Sequence, residues 1–202
     1  MAEATDTAQQ SGESKPAPGE LALVQSFINT LDPRPGREEL SSAAALKAWL
    51  IDRGLMNRTE RISENDLRHA KDVREALRDL LSADAEHALK PASAQTLSRA
   101  ARGAQLLVQF KPDGSATFAP VASGVDEAMG RLLAITTLAM LDGSWQRLKI
   151  CGDDTCRWAF FDYSKNYSRN WCSMASCGNR DKARRFRERQ KPKARSARAR
   201  GR

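Results

Sequence analysis

The stretch that decides the architecture of this chain is Cys151-Gly152-Asp153-Asp154-Thr155-Cys156, followed 15 residues later by Cys172-Ser173-Met174-Ala175-Ser176-Cys177. These are the only four cysteines among 202 residues, and they share one 27-residue window. Two C-x4-C pairs can bring four thiolates to the corners of a tetrahedron, the arrangement a structural Zn²⁺ requires. Two disulfides or an iron–sulfur cluster are the alternatives that this spacing leaves open. The first 20 residues are polar and carry no apolar run, so no export signal supports disulfides. No segment approaches about 18 uninterrupted apolar residues, and no transmembrane helix is expected. A cytoplasmic location is the expectation.

Charge concentrates directly behind the cysteines. Residues 180–202 hold 12 of the 33 Lys/Arg and 2 of the 25 Asp/Glu, a net of +10, and the rest of the chain carries −2. A basic block of that density releases counterions from phosphates. The run Asp181–Gln190 reads as a helix decorated by Lys182, Arg184, Arg185, Arg187 and Arg189, with Phe186 as its single anchor and Pro192 beyond its end. Residues 191–202 read as a disordered electrostatic arm. Six of the chain's 12 aromatic residues (Trp158, Phe160, Phe161, Tyr163, Tyr167 and Trp171) lie between the cysteine pairs. Trp158, Phe160 and Trp171 are expected to form a mini-core around the metal. Tyr163 and Tyr167 are expected to be exposed, where they would suit base stacking.

Upstream, residues 1–19 read as a disordered leader, with order beginning near Glu20. Val24, Phe27, Ile28 and Leu31 follow helical spacing up to Pro33 and Pro35. A second helix starts behind Ser41 or Ser42, carries Leu46, Trp49 and Leu50, and stops at Gly54. A third follows Ser63, with Arg74 as the one charged member of its buried stripe. Pro91 opens a helix over 92–103. Leu106–Phe110 and Ala116–Phe118 flank a turn and predict one β-hairpin. Val125–Leu141 is apolar almost all round and reads as the central helix. Trp145–Ile150 is expected to lead into Cys151 as a short strand or extended segment.

The fold class expected is therefore mainly α with a small β-hairpin (α+β): a helical domain over 20–147, a four-cysteine zinc-ribbon-like module over 148–190, then the basic tail. No Gly-rich phosphate loop, H-E-x-x-H or G-x-S-x-G occurs. His69 and His87 read as exposed residues on polar faces. Zinc held by four thiolates is coordinatively closed, so an enzyme is not expected. Asn29 and Arg74, polar residues on otherwise apolar faces, are candidates for lining a small-molecule pocket, although buried polar groups more often satisfy backbone or each other.

The segment from Phe160 to Lys182 resembles the CGNR zinc-finger family, through Phe160, Asp162, Ser164, Asn166, Ser168, Arg169, Trp171, Cys172, Ser173, Met174, the tetrapeptide Cys177-Gly178-Asn179-Arg180, and Lys182. The upstream region resembles that family's N-terminal partner, the ABATE domain. The shared elements are Phe27-Ile28-Asn29-Thr30, Trp49-Leu50 with Gly54-Leu55, Val73-Arg74-Glu75-Ala76-Leu77-Arg78, and Arg147 to Cys151. The family tends to have Arg where this chain has Lys165 and Asn170. A lysine at a phosphate contact keeps the charge but loses bidentate geometry.

The resemblance implies one structural Zn²⁺ on Cys151, Cys156, Cys172 and Cys177. It also implies a transcription regulator responsive to stress or a ligand, or an RNA-binding zinc-ribbon protein. The nucleic-acid-binding candidates are Lys165, Arg169, Arg180, Lys182, Arg184, Arg185, Arg187 and Arg189, with DNA favoured over RNA and a nucleoid association following from DNA binding. Arg157, Arg169 and Arg180 are also candidates for offsetting the charge of the thiolates. Gly152 and Gly178, each directly after a ligand, are expected at tight turns with positive φ. A small-molecule effector and a homodimer are candidate partners, and a protein-interaction scaffold is the remaining alternative.

Overall fold

The computed structural model describes residues 15–83 and 87–190. Helix α1 (Leu21–Ile28) stops at Asn29, and the chain turns at once into a short hairpin, β1 (Leu31–Asp32) against β2 (Arg37–Glu38). Leu31, expected at the end of the first helix, is thus a strand residue. The reason is tertiary. The carbonyls of Ile28 and Leu31 are both taken by the guanidinium of Arg78, at 2.7 and 3.2 Å.

Ser42 caps α2 (Ala43–Asp52), its hydroxyl accepting from the Ala45 N–H at 3.1 Å. Gly54, past the end of α2, takes φ +64°, where only glycine is unstrained. Ser63 opens α3 (Glu64–Leu81) with a reciprocal capping box: its hydroxyl accepts from Asp66 N–H, and the Asp66 carboxylate accepts from Ser63 N–H. Pro91 sits at the first position of α4 (Pro91–Gly103), where its missing N–H is harmless.

Next come β3 (Leu107–Phe110) and β4 (Ala116–Ala119), the hairpin anticipated from the turn residues, and then α5 (Gly124–Leu141). Helix α5 approaches α4 and the hairpin closely through Gly130. A Cβ there would lie 2.5 Å from Ala104 Cβ and 2.9 Å from Pro120 Cβ.

A 3₁₀ turn at Ser144–Arg147 precedes β5 (Leu148–Ile150), which pairs antiparallel with β6 (Ala159–Phe161) in a third hairpin. The sequence anticipated one hairpin; the described residues hold three. Each of the two unforeseen ones has strands of only two or three residues, too short for an alternating pattern to show. The last described element is α6 (Asn179–Gln190).

The core gathers Val24, Phe27 and Ile28 from α1, Leu46 and Leu50 from α2, Val73 and Leu77 from α3, and Met129 and Leu132 from α5. Leu148, Ala159 and Phe161 of the third hairpin are buried in that same cluster. The described structure extends to residues before Glu20. Ala17 is buried and donates its N–H to Gln25 Oε1 at 2.6 Å. The leader before Lys15 and the arm after Gln190 lie outside the described residues. Among the described residues, no helix is long and apolar enough to cross a membrane.

Candidate metal centre

Hairpin β5–β6 positions the first cysteine pair. Cys151 follows β5, its N–H donating to Trp158 C=O at 2.9 Å. The turn to Cys156 is held by Asp153, whose carboxylate accepts from Thr155 N–H and hydroxyl and whose C=O accepts from Cys156 N–H. The second pair lies on the loop after β6 and on a single π-helical turn, Met174–Gly178, that runs directly into α6. Gly152 N–H donates to Asn170 C=O at 2.8 Å and so ties the two loops together.

The four Sγ atoms lie within 4.8 Å of one another, and all four residues are buried free thiols. Cys172 Sγ stands 3.7 Å from Cys156 Sγ and 3.6 Å from Cys177 Sγ. Zn–S bonds of about 2.3 Å in a tetrahedron give sulfur–sulfur edges of about 3.8 Å. The donor set therefore fits a four-coordinate thiophilic cation. Hydrogen bonds from Cys156 and Cys172 ease the ionisation of Cys151, and its ionisation in turn pushes the other two up.

Around the sulfurs sit Phe160, fully buried, and the partly buried Trp158 and Trp171, which is the mini-core read from the sequence. Neither Gly152 nor Gly178 has a positive φ; that region is taken by Arg157 (48°) and Tyr167 (52°). The two glycines instead allow close approach. A Cβ on Gly152 would meet Asn170 C=O at 3.1 Å, and one on Gly178 would meet Met174 Sδ at 2.5 Å.

Of the three arginines considered as partners for sulfur, Arg180 takes that position. Its Nη2 donates to Cys177 Sγ and to Asp153 Oδ2, both at 2.9 Å. Some burial opposes its charge, but Asp153 and the sulfur outweigh that and raise its pKa. Arg169 serves the loop backbone, donating to the carbonyls of Trp171 and Cys172, and lies 5.1 Å over the Phe160 ring. Arg157 reaches Asp79 on α3 at 3.3 Å.

The other basic candidates fall into two groups. Arg184 and Arg185 are both paired with the buried Asp181, at 2.6 and 2.8 Å. Lys182, Arg187 and Arg189 are exposed on α6 with no ion pair among the described residues, and Lys165 is exposed on the loop after β6. Among the described residues Phe186 is 56% exposed and α6 buries only Asp181, so Phe186 does not serve as the helix's anchor there. Tyr163 and Tyr167 are 51% and 47% exposed, with Arg147 stacked 3.8 Å from the centroid of the Tyr167 ring.

Asn29 and Arg74 have protein partners. Asn29 Oδ1 accepts from Ala159 N–H at 2.8 Å and its Nδ2 donates to Ala159 C=O at 2.9 Å, so it clasps α1 to β6. Arg74 makes a two-point bond to Glu38 at 2.7 and 2.8 Å and donates to Thr30 Oγ1. These bonds are the protein partners that the sequence reading holds more common for such buried polar residues than a pocket-lining role. His69 lies 3.5 Å from Asp126 on α5, and His87 is exposed but outside any helix.

Sequence reasoning missed Arg78 and Asp162. Arg78 is fully buried on α3 and donates to Arg157 C=O at 2.9 Å as well as to Ile28 and Leu31. Asp162, also fully buried, accepts from Lys149 Nζ and from the N–H groups of Ser164 and Arg169. Burial alone would raise its pKa, but these donors hold it far below the usual carboxylate range. With Lys149 and Arg147 it shapes the loop that delivers Cys172. The signal was present in the quoted motifs, where Asp162, Arg147 and Lys149 appear as fixed letters without an assigned role.

A helical body joined to a four-cysteine centre that continues into a basic helix defines a zinc-finger architecture. Residues 147–190 match the CGNR zinc finger. Residues 21–143 match ABATE, described as "Putative stress-induced transcription regulator", and the chain belongs to that family. No curated protein matches the chain.

Proposed function

We propose that the chain is a zinc-dependent DNA-binding regulator. Cys151, Cys156, Cys172 and Cys177 would hold one Zn²⁺, which when bound supplies a fixed charge and a crosslink between the two loops rather than chemistry. Four thiolates complete its tetrahedron, so this reading includes no enzymatic step. Helix α6 would meet the phosphate backbone through Lys182, Arg187 and Arg189, with Lys165 and the tail adding charge.

The observation that carries the reading is the junction of centre and helix. Cys177 lies two residues before α6, and Arg180 in the first turn donates to its sulfur. Metal occupancy would thereby set the direction in which the basic helix projects. The family's description supports a role in transcription.

The test is binding of the full chain to random duplex DNA, single-stranded DNA and structured RNA across a salt series. Wild type would be compared with Cys172→Ser and with a triple alanine variant at Lys182, Arg187 and Arg189. Duplex preference lost in both variants supports the reading. Equal binding by all three proteins removes the zinc module from the interface.

A second reading, binding of single-stranded RNA, is favoured by the exposure of Tyr163 and Tyr167 beside Arg147. In the same assay it predicts single-strand preference and a selective loss on Tyr167→Ala.

A further inference from the structure

Hairpin β3–β4 presents an exposed outer edge among the described residues. Leu107, Val108 and Phe110 of β3 are 58, 54 and 79% exposed, and Gln109 between them is exposed too. Strand β4 packs against α5, so β3 is the outer strand. Natural edge strands are usually blunted by charge, proline or a bulge. This one has none within Leu107–Phe110; the hairpin's charges, Lys111 and Asp113, sit at the turn.

The polarity of the edge can be read from the register. Lys111 N–H donates to Ser115 C=O at 2.8 Å, and the pairs Gln109↔Thr117 and Leu107↔Ala119 follow at two-residue steps. In an antiparallel ladder these alternate residues direct their N–H and C=O groups to the partner strand. Val108 and Phe110 therefore direct theirs outward.

We propose that β3 pairs antiparallel with β3 of a second copy of this chain, with Gln109 on the two-fold axis. In that register Val108 lies opposite Phe110 of the other copy and Phe110 opposite its Val108. Both pairs are of the hydrogen-bonded kind, so the outward N–H and C=O groups of the two copies satisfy one another. Gln109 faces its own counterpart in a non-hydrogen-bonded pair, and Val108 and Phe110 of both copies line one apolar face of a four-stranded sheet.

A register centred on Val108 is poorer, because it places Phe110 opposite Leu106, whose N–H is already donated to Ala101 C=O. Self-pairing also meets no like-charge contact within the strands. The exposed surface of Leu107, Val108 and Phe110 is roughly 350 Å² per copy, under half of the ~800 Å² per partner of a standard interface. The expected dimer is therefore a weak, reversible one rather than an obligate one.

The experiment is sedimentation equilibrium of the full chain from 1 to several hundred micromolar, for wild type and for Phe110→Lys and Val108→Pro. Both side chains are exposed and the Val108 N–H points away from β4, so both variants are expected to retain the fold, which far-UV circular dichroism checks. The expected result is a reversible monomer–dimer equilibrium in wild type. The dissociation constant should rise at least tenfold in each variant. Gln109→Cys tests the axis directly. Non-hydrogen-bonded antiparallel partners stand about 4.5 Å apart at Cα, within disulfide reach. Mild oxidation of this variant should give a dimer crosslinked through position 109 of both copies, identified by mass spectrometry, whereas Thr117→Cys on β4 should not crosslink. A wild type that stays monomeric throughout overturns the proposal. So does a dimer that persists unchanged in Phe110→Lys, or one that crosslinks equally through Thr117→Cys.

Discussion

Asn29 and Ala159, 130 residues apart, bond to each other as two strand residues would. The side-chain amide of Asn29 stands in for a peptide group, accepting from the N–H and donating to the C=O of Ala159. It extends the β5–β6 hairpin by one rung supplied by a side chain from α1. Gln25 adds a third bond, to the same carbonyl, at 3.2 Å.

Replacing Asn29 with Ala removes both amide bonds in a dry site and leaves the Ala159 N–H without an acceptor. A loss of about 2–3 kcal/mol is expected, since each unsatisfied buried polar group costs about 1–3 kcal/mol. Urea unfolding at constant zinc concentration measures it. An Asn29→Ala protein as stable as wild type would show the clasp to be dispensable.

Arg78 is the buried counterpart of that clasp. It reaches α1, β1 and the Arg157 carbonyl at once, with Glu75 as its counter-charge at 3.1 Å. Burial lowers its pKa and Glu75 acts against that. Arg78→Met is expected to destabilise by about 3 kcal/mol or more, because three carbonyls lose their donor. Arg78→Lys should recover only part of this, as an ammonium lacks the fork geometry. Equal stability of the Met and Lys variants would count against the three-carbonyl role.

Zinc content provides a separate check. One equivalent per chain is expected, with Cys172→Ser retaining far less, measured by release to a colorimetric chelator after thiol modification. Removal of the metal should also lower the thermal midpoint of the whole chain rather than of the finger alone, because metal binding that orders the loops is itself folding free energy. Full zinc retention by Cys172→Ser would exclude that sulfur as a ligand.

The acid limb of stability should report Glu38. Partial burial opposes its ionisation, but hydrogen bonds and charge from Arg74, the Leu40 N–H and Lys71 prevail and lower its pKa. A carboxylate lowered in the folded state contributes stability that is fully present above its unfolded value and is lost as pH falls through the folded one. Glu38→Gln should therefore be less stable than wild type at pH 7, and the gap should narrow below about pH 4. Denaturant midpoints of both proteins from neutral pH to about pH 3 show whether it does. A gap that stays constant across that range would contradict the assignment.

Gly130→Ala tests the closest approach in the helical body. The added methyl would overlap Ala104 and Pro120, whose Cβ atoms are fixed to backbone. A loss of about 1–3 kcal/mol is expected from overpacking. Gly178→Ala meets the flexible end of Met174 and should cost less; reversal of this order in thermal unfolding would refute the packing argument.

Much of this organisation was legible in the sequence. Ser42, Ser63 and Pro91 mark helix starts because capping is local chemistry, and the cysteine quartet is legible because ligand spacing is local too. The end of α1 was not, since it depends on Arg78, 50 residues beyond Ile28, and on Asn29 being drawn to Ala159. Helical periodicity reads Leu31 as one more apolar position, and it singles out Asn29 and Arg74 as polar residues on apolar faces without naming the partners that satisfy them. Gly152 and Gly178 were recognised as special, but for torsional freedom rather than for the contacts that a Cβ would block. The metal-loop supports Arg147, Lys149 and Asp162 were visible only as letters of a motif, because their partners are mostly backbone atoms that no sequence pattern encodes.

The burial of Leu148, Ala159 and Phe161 among the helices bears on how such chains can be recombined. The seam between the two matched segments falls between residues 143 and 147, yet the apolar contacts run straight across it. A zinc finger moved to another protein by cutting at that seam would carry three greasy side chains and the Ala159 peptide group with nothing to receive them. A workable graft has to bring α1, with Gln25 and Asn29, along with it. Moving this finger as a cassette would therefore require its helical host to travel with it.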